Sequence, residues 1–220
     1  MRTAARCLAL AALAVLALPA LGQADPVVKV EFSNPGLTPS RWTITLHADG
    51  SGHFSSERGN AQAEGSQAMD AADVDRDIRV SPRFAARIFQ VARRHNWFNT
   101  ECESRMKVAF QGWKKASYEG PDGQGSCSFN YSRDKEIQEL GDSLVAVAGT
   151  IQEGARLEML LRHDRLGLDR ELEFIVEAAT DGRVRQICVI RAILERLAED
   201  SEVMERVRKR AKALLGRAEE

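Results

Sequence analysis

The stretch Cys127-Ser-Phe-Asn-Tyr-Ser-Arg-Asp-Lys-Glu-Ile-Gln-Glu-Leu-Gly-Asp-Ser-Leu144 changes its period part-way along. Cys127, Phe129 and Tyr131 alternate with polar residues, the signature of a half-buried strand, whereas Ile137, Leu140, Leu144, Ala148 and Ile151 recur at helical spacing. A switch from period two to period 3.6 at Ser132 predicts strands before that point and helices after it. The expected fold is therefore α+β, a small antiparallel sheet packed on one helix, followed by a bundle of about five short antiparallel helices. The mature chain divides into a mixed region, 25–131, and a helical region, 132–220, and periodicity leaves open whether the two share one core.

Upstream of the switch the strand signals continue. Val28, Val30 and Phe32 alternate with Lys29 and Glu31, and Asn34-Pro35-Gly36 ends that run. Trp42, Ile44 and Leu46 alternate likewise, and Asp49-Gly50 turns the chain into a partner strand around His53 to Ser56. Glu57 to Arg76 lacks sustained apolar periodicity and reads as a long loop. Ser81-Pro82 opens a helix, with Ser as N-cap and Pro at the first position; Phe84, Ile88, Val91, Ala92 and His95 follow at helical spacing, and Asn96 ends it. Met106, Val108 and Phe110 read as one strand and Lys114 to Glu119 as another, with Gly120-Pro-Asp-Gly-Gln-Gly125 as the turn into the quoted stretch.

Downstream, the helix through Ile151 is expected to end at Gly154, and Leu157, Leu160 and Leu161 mark a short one ending at Gly167. Asp169 is placed to cap a third, carrying Leu172, Ile175, Val176 and Ala179. Ile187, Ile190, Leu194 and Leu197 form a fourth, and Val203, Val207, Ala211 and Leu214 a fifth. The aromatic residues divide the chain in the same place: of 13, only Phe174 lies beyond Tyr131.

Composition bounds the function. With 44% hydrophobic residues in 220 the chain is too apolar for disorder, and 31 Lys+Arg against 32 Asp+Glu is too balanced for a nucleic-acid binder. Arg2 and Arg6 precede an apolar run from Cys7 to Leu18, then Pro19, then small residues ending Gly22-Gln23-Ala24: the three parts of a secretory signal peptide, cleaved after Ala24. The run is too short to span about 30 Å of hydrocarbon comfortably, and no later stretch is apolar enough for a transmembrane segment. Cleavage leaves 29 Lys+Arg against 32 Asp+Glu, a net charge of -3 on a periplasmic or secreted protein. In that oxidising setting Cys102, Cys127 and Cys188 are one pair plus one leftover. Cys102 and Cys127 flank the predicted strand pair, and bridging them closes a loop of about 24 residues, worth about 3 kcal/mol in the chain-entropy account. Cys188, beside Ile187, Val189 and Ile190, reads as a buried free thiol.

The chemical motifs are fragmentary. Ser132-Arg-Asp-Lys135 has the spacing that sets a serine nucleophile one turn from a lysine, but no Ser-Asp-Asn or Lys-Thr-Gly accompanies it, and Ser132 reads as a helix cap. Asp70, Asp73, Asp75 and Asp77 crowd together, yet a calcium loop opened by Asp73 wants Gly at 78 and Glu at 84, where Ile78 and Phe84 stand. His47 and His53 are expected opposite one another across the Asp49-Gly50 turn, while His95 and His163 sit alone on predicted helices, short of the three or four ligands zinc takes. Gly120 to Gly125 begins like a phosphate loop but continues Ser126-Cys127. Asn130-Tyr131-Ser132 matches a glycosylation sequon, relevant only in a host that glycosylates. No catalytic, cofactor or metal residue is assigned. Arg206, Arg208, Lys209, Arg210 and Lys212 cluster on the last helix with Glu202, Glu205, Glu219 and Glu220 nearby; they are the candidate interaction surface.

The stretch Tyr118-Glu-Gly-Pro-Asp-Gly-Gln-Gly-Ser-Cys-Ser-Phe-Asn-Tyr-Ser132, with Arg-Leu-Gly-Leu-Asp169 and Val-Met-Glu-Arg-Val-Arg208, resembles a family of uncharacterised exported bacterial proteins with no assigned activity. That resemblance implies a bacterial periplasmic or secreted setting. Leu194 to Leu215 separately resembles a HEAT-like helical pair, and one such pair cannot build a solenoid alone. The functional expectation is an exported non-enzymatic module, macromolecule-binding or envelope-associated, without cofactor. The alternative is a periplasmic hydrolase using Ser132 and Lys135, or a metal held by the aspartates and histidines.

Overall fold

The computed structural model describes residues 25–59 and 73–218. The signal segment with Cys7 and the Ala24 cleavage point, Asp70, Glu219 and Glu220 lie outside the described residues.

Six strands form one antiparallel sheet: β1 (Val27–Ser33), β2 (Arg41–His47), β3 (Ser51–Glu57), β4 (Asp75–Arg79), β5 (Trp113–Gly120) and β6 (Gly123–Phe129), in the order β4-β3-β2-β1-β5-β6. The first strand is thus interior to the sheet, with Val30 opposite Ile44 on one side and Ala116 on the other. Alternation does what the sequence asks. Val28, Val30, Phe32, Trp42, Ile44 and Leu46 are buried in one cluster with α1 (Pro82–Arg94) and the first half of α2 (Lys135–His163), while the intervening side chains face outward.

The β2–β3 connection is a three-residue loop in which Gly50, at φ 85, takes the left-handed position and its N–H donates to the His47 carbonyl. The register that follows pairs His53 with Thr45, so the two histidines do not stand opposite one another as the turn had suggested. The ends of the expected 57–76 loop are strand: Glu57 closes β3, and Asp75 and Arg76 open β4, which buries only Ile78, too little apolar signal to be seen in sequence. The reverse holds at Met106–Phe110, expected as a strand but irregular and exposed apart from a half-buried Val108. Its alternation finds no ladder, because residues 97–104 already run beside β6: Cys102 is bridged to Cys127 and the Ser104 N–H donates to the Tyr131 carbonyl at 2.9 Å. The disulfide is the pairing expected.

Ser81 caps α1 by accepting from the Phe84 N–H at 3.3 Å, with Pro82 in the first turn. His95 closes the helix, and Asn96, Trp97 and Phe98 follow with φ of 53, 54 and 65. Three consecutive left-handed residues of this kind are costly and need outside support. A fully buried Phe98 and the neighbouring disulfide supply it.

The N-cap of α2 is Asp134, accepting from the N–H groups of Glu136 and Ile137, and not Ser132. The expected break at Gly154 is absent; α2 runs 29 residues through it. Gly154 is a packing residue: a Cβ there would lie 2.3 Å from Ile190 Cγ2. After α2 come α3 (Leu168–Thr180), one 3-10 turn over Ile187–Ile190, α4 (Arg191–Glu199) and α5 (Glu205–Arg217). The helical region therefore holds four α-helices, the first of them long. Asp169 lies inside α3, whose N-cap is Gly167, and receives Arg206 and Arg210 from α5.

Two apolar clusters result. The first joins the sheet, α1 and α2 as far as Ile151; the second joins α2 from Leu157 with α3, α4 and α5. Half-buried Val189 packs against both. The packing boundary thus falls inside α2, not at residue 132. Among the described residues no helix is long and apolar enough to cross a membrane.

Candidate functional site

Helices cover one face of the sheet and leave the other open. A cleft of about 800 Å³ crosses the open face at the end where β1 leaves and β2 enters. Its side chains come from all six strands and the residues just before β4, and no helix contributes to it. Register explains the arrangement: Asp75, Ser55, Thr43 and Glu31 form one transverse row that continues to Lys115 and Ser128. The next row outward is Glu57, Arg41, Ser33 and Trp113.

Charges in this cleft are paired, along β1 and across strands. Glu31 accepts from Lys29 at 2.9 Å and faces Lys115 at 3.6 Å, and the Lys29 bond, with both lysine charges, pulls its carboxyl below the usual range. Arg41 faces Glu57 at 3.9 Å. Between the charges lie hydroxyls and the edges of the buried, stacked Phe32 and Trp42, and the exposed aromatic of the lining is Trp113, 49% exposed and set edge-to-face against Phe110 with ring centroids 6.5 Å apart. A row of hydrogen-bonding groups beside a half-exposed indole suits an extended ligand contacted at several points; it places no nucleophile against a base.

The catalytic motif of the sequence does not assemble. Ser132 is buried, its hydroxyl accepting from the Asp134 N–H at 3.3 Å, and Lys135 is exposed on the first turn of α2. The aspartates do reach His53, but from opposite sides: Asp77 lies 2.9 Å from Nδ1 and Asp75 3.3 Å from Nε2. Two carboxylates on opposite ring nitrogens cannot converge on one ion, and among the described residues no group of three or more ligating side chains is placed to hold a metal. The Asp77 bond, with that of Asp75, raises the His53 pKa above its ordinary value. His95 is not alone either; its Nε2 lies 3.0 Å from Glu136, tying the end of α1 to the start of α2. Asn130 of the sequon is buried, donating to the Ala109 carbonyl and accepting from the Gln111 N–H.

Two buried polar groups were not legible in the sequence. Lys114 points to the helix side of the sheet, donates to the Asn130 carbonyl at 3.1 Å and stands over the Phe129 ring. Burial pushes its pKa down, against the pull of the Asp142 and Glu103 charges. Tyr118 donates to Asp122, which also takes Arg93 at 2.7 Å, so the β5–β6 turn at Pro121-Asp122 is clamped to α1. The Tyr118 hydroxyl and Arg93 together bring the Asp122 carboxyl down to about 2.

The basic cluster of α5 is largely neutralised. Arg206 and Arg210 meet Asp169, Arg210 also meets Glu173, and Lys209 meets Glu205. Arg208 and Lys212 form no ion pair among the described residues, although the Glu205 carboxyl, held below its usual range by Lys209, also feels the Arg208 charge. Cys188 is a free, half-buried thiol whose pKa burial raises, the opposite of an activated nucleophile.

No protein-family model matches the chain, and no curated protein matches it in sequence. The cleft itself was missed in sequence because its residues come from strands distant along the chain. Trp113, directly before the alternating run of β5, was the one signal: its parity puts it on the face opposite Ala116 and Tyr118.

Proposed function

We propose that the protein is an exported, non-enzymatic module that binds a macromolecular partner in the cell envelope through the open face of its sheet. The observation that carries this reading is the cleft spanning all six strands, with paired charges, hydroxyls and a half-exposed Trp113. The Cys102–Cys127 disulfide and the residue pattern of the first 24 positions support an oxidising, exported setting. The resemblance to exported bacterial proteins points the same way. The hydrolase alternative loses its serine–lysine pair, since Ser132 is buried and Lys135 exposed.

The test is a pull-down from the exported fraction with the chain starting at Asp25. Thr43→Trp fills the cleft floor without lowering strand propensity, and Lys135→Ala serves as control. A stoichiometric partner kept by Lys135→Ala and lost by Thr43→Trp supports the reading. Capture unaffected by Thr43→Trp, or none at all, overturns it.

A further inference from the structure

Of the large apolar side chains exposed among the described residues, three lie within eight positions of one another: Met106, Phe110 and Trp113, at 48%, 52% and 49%. Isolated exposed apolar residues need no explanation, but a cluster on one segment does. The segment that carries them, residues 101–112, has no regular secondary structure, and it leads directly into β5 at the rim of the cleft.

Residues 101–112 carry two acids and two bases, and the cationic surplus lies among the side chains that face outward here and on β1 and β5. Arg105 is paired with Glu101 at 2.5 Å, but Lys107 has no acidic partner among the described residues. Glu103 is turned inward: although partial burial works against it, the backbone N–H groups of Asn130 and Arg105 hold its carboxyl below the usual range. On the adjoining outer face Glu31 is shared by two lysines, Lys29 and Lys115, leaving a second cation uncompensated. At the opposite edge Arg76 and Arg79 are paired with Glu158 and Asp49, while Asp75 and Asp77 share His53, so the surplus there is acidic. The open face is polarised, basic and aromatic at one end and acidic at the other.

We infer that the 104–113 segment docks on an anionic phospholipid surface, with Met106, Phe110 and Trp113 seated at headgroup depth and Lys107 and Lys115 against the phosphates. The chemistry fits at each point. Indole and phenyl rings favour the water–hydrocarbon boundary, and lysine stems lie along an apolar surface while their charges reach the phosphates. An irregular backbone cannot enter the hydrocarbon with unsatisfied amides, so contact is shallow. Asp75 and Asp77 on β4 are repelled by the same surface, which turns that edge away from it. This inference goes beyond the cleft reading: it shares Trp113 and Lys115 with the cleft, while Met106, Lys107 and Phe110 lie outside it.

The experiment is flotation of the chain from Asp25 onward with vesicles of phosphatidylcholine alone and with vesicles containing phosphatidylglycerol, at low and high salt, alongside tryptophan emission. The expected result is association with the phosphatidylglycerol vesicles, a shift of emission to shorter wavelength, and release by salt. The double variant Phe110→Ser/Trp113→Ser loses association, and Lys107→Ala weakens it about fivefold, from about 1 kcal/mol per cation near such a surface. Leu166→Ser, which removes an exposed apolar residue elsewhere, binds as the parent does, and Thr43→Trp retains vesicle binding whatever it does to the pull-down. Absence of association with either vesicle, or association indifferent to the Phe110/Trp113 change, overturns the inference. Equal binding to phosphatidylcholine alone overturns it as well, because the assigned charges would then do nothing.

Discussion

The two apolar clusters are built from one helix by opposite means. Around the first half of α2, the sheet supplies aromatic bulk, non-local strand pairing and a disulfide; around the second half, α3, α4 and α5 pack aliphatic side chains without any cross-link among the described residues. The difference shows where stability is stored. The sheet half closes long loops and restrains its unfolded chain, whereas the helical half depends on the fit of Leu, Ile, Val and Ala against its neighbours. Every tryptophan, Trp42, Trp97 and Trp113, lies in the sheet half, so indole fluorescence reports one half, while far-UV ellipticity is dominated by the helices.

That separation of signals makes the comparison breakable. The largest effect is expected from truncating fully buried leucines, Leu144→Ala in the first cluster and Leu172→Ala in the second, each at about 3 kcal/mol. In urea, fluorescence and ellipticity should shift together in both variants, because α2 belongs to both clusters. A transition that splits, with one probe moving alone, would show that the halves unfold independently. Next comes Cys102→Ser/Cys127→Ser, expected to remove about 3 kcal/mol or less from the whole molecule. If unfolding midpoints under reducing and oxidising conditions coincide for the parent chain, the bridge contributes nothing.

Gly154→Ala is smaller, about 1–2 kcal/mol, since the methyl meets Ile190 while the backbone is already helical. A companion Ile190→Leu, which is unbranched at Cβ and so has no Cγ2, should recover part of the loss, and no recovery would place the strain elsewhere. The smallest effect is pH dependence at the Tyr118–Asp122–Arg93 clamp. Asp122 is lowered to about 2 from 3.8, so its contribution is present above 3.8 and disappears as pH falls toward the lower value. Asp122→Asn should flatten the stability profile of the parent between those limits; an unchanged profile would remove the clamp from the account.

How much of this was legible follows from how local each signal is. Val28, Val30 and Phe32 announced β1, and Ser81-Pro82 announced α1, because alternation and capping are written into a few neighbouring residues. Cys102 pairs with Cys127 as expected, although of the two strands expected between them only β5 exists. Gly154 misled because a glycine that ends a helix and one that admits a neighbour look the same in sequence. Met106 to Phe110 misled because alternation needs a partner strand, and the neighbouring position beside β6 was already filled by residues 97–104. The cleft depends on β1 meeting β5, a pairing across more than 80 residues of which no local pattern speaks.

The interior position of β1 orders events in time. Synthesised N-terminus first, the chain presents β1, β2 and β3 as a meander that pairs at once, but the other side of β1 stays open until β5 emerges. Cys102 and Cys127 come out with β5 and β6, and Cys188 only after the whole of α2 and α3. An oxidant meeting the chain in that order finds Cys102 and Cys127 together before it finds Cys188, so the order of arrival itself favours the native bridge and leaves Cys188 free.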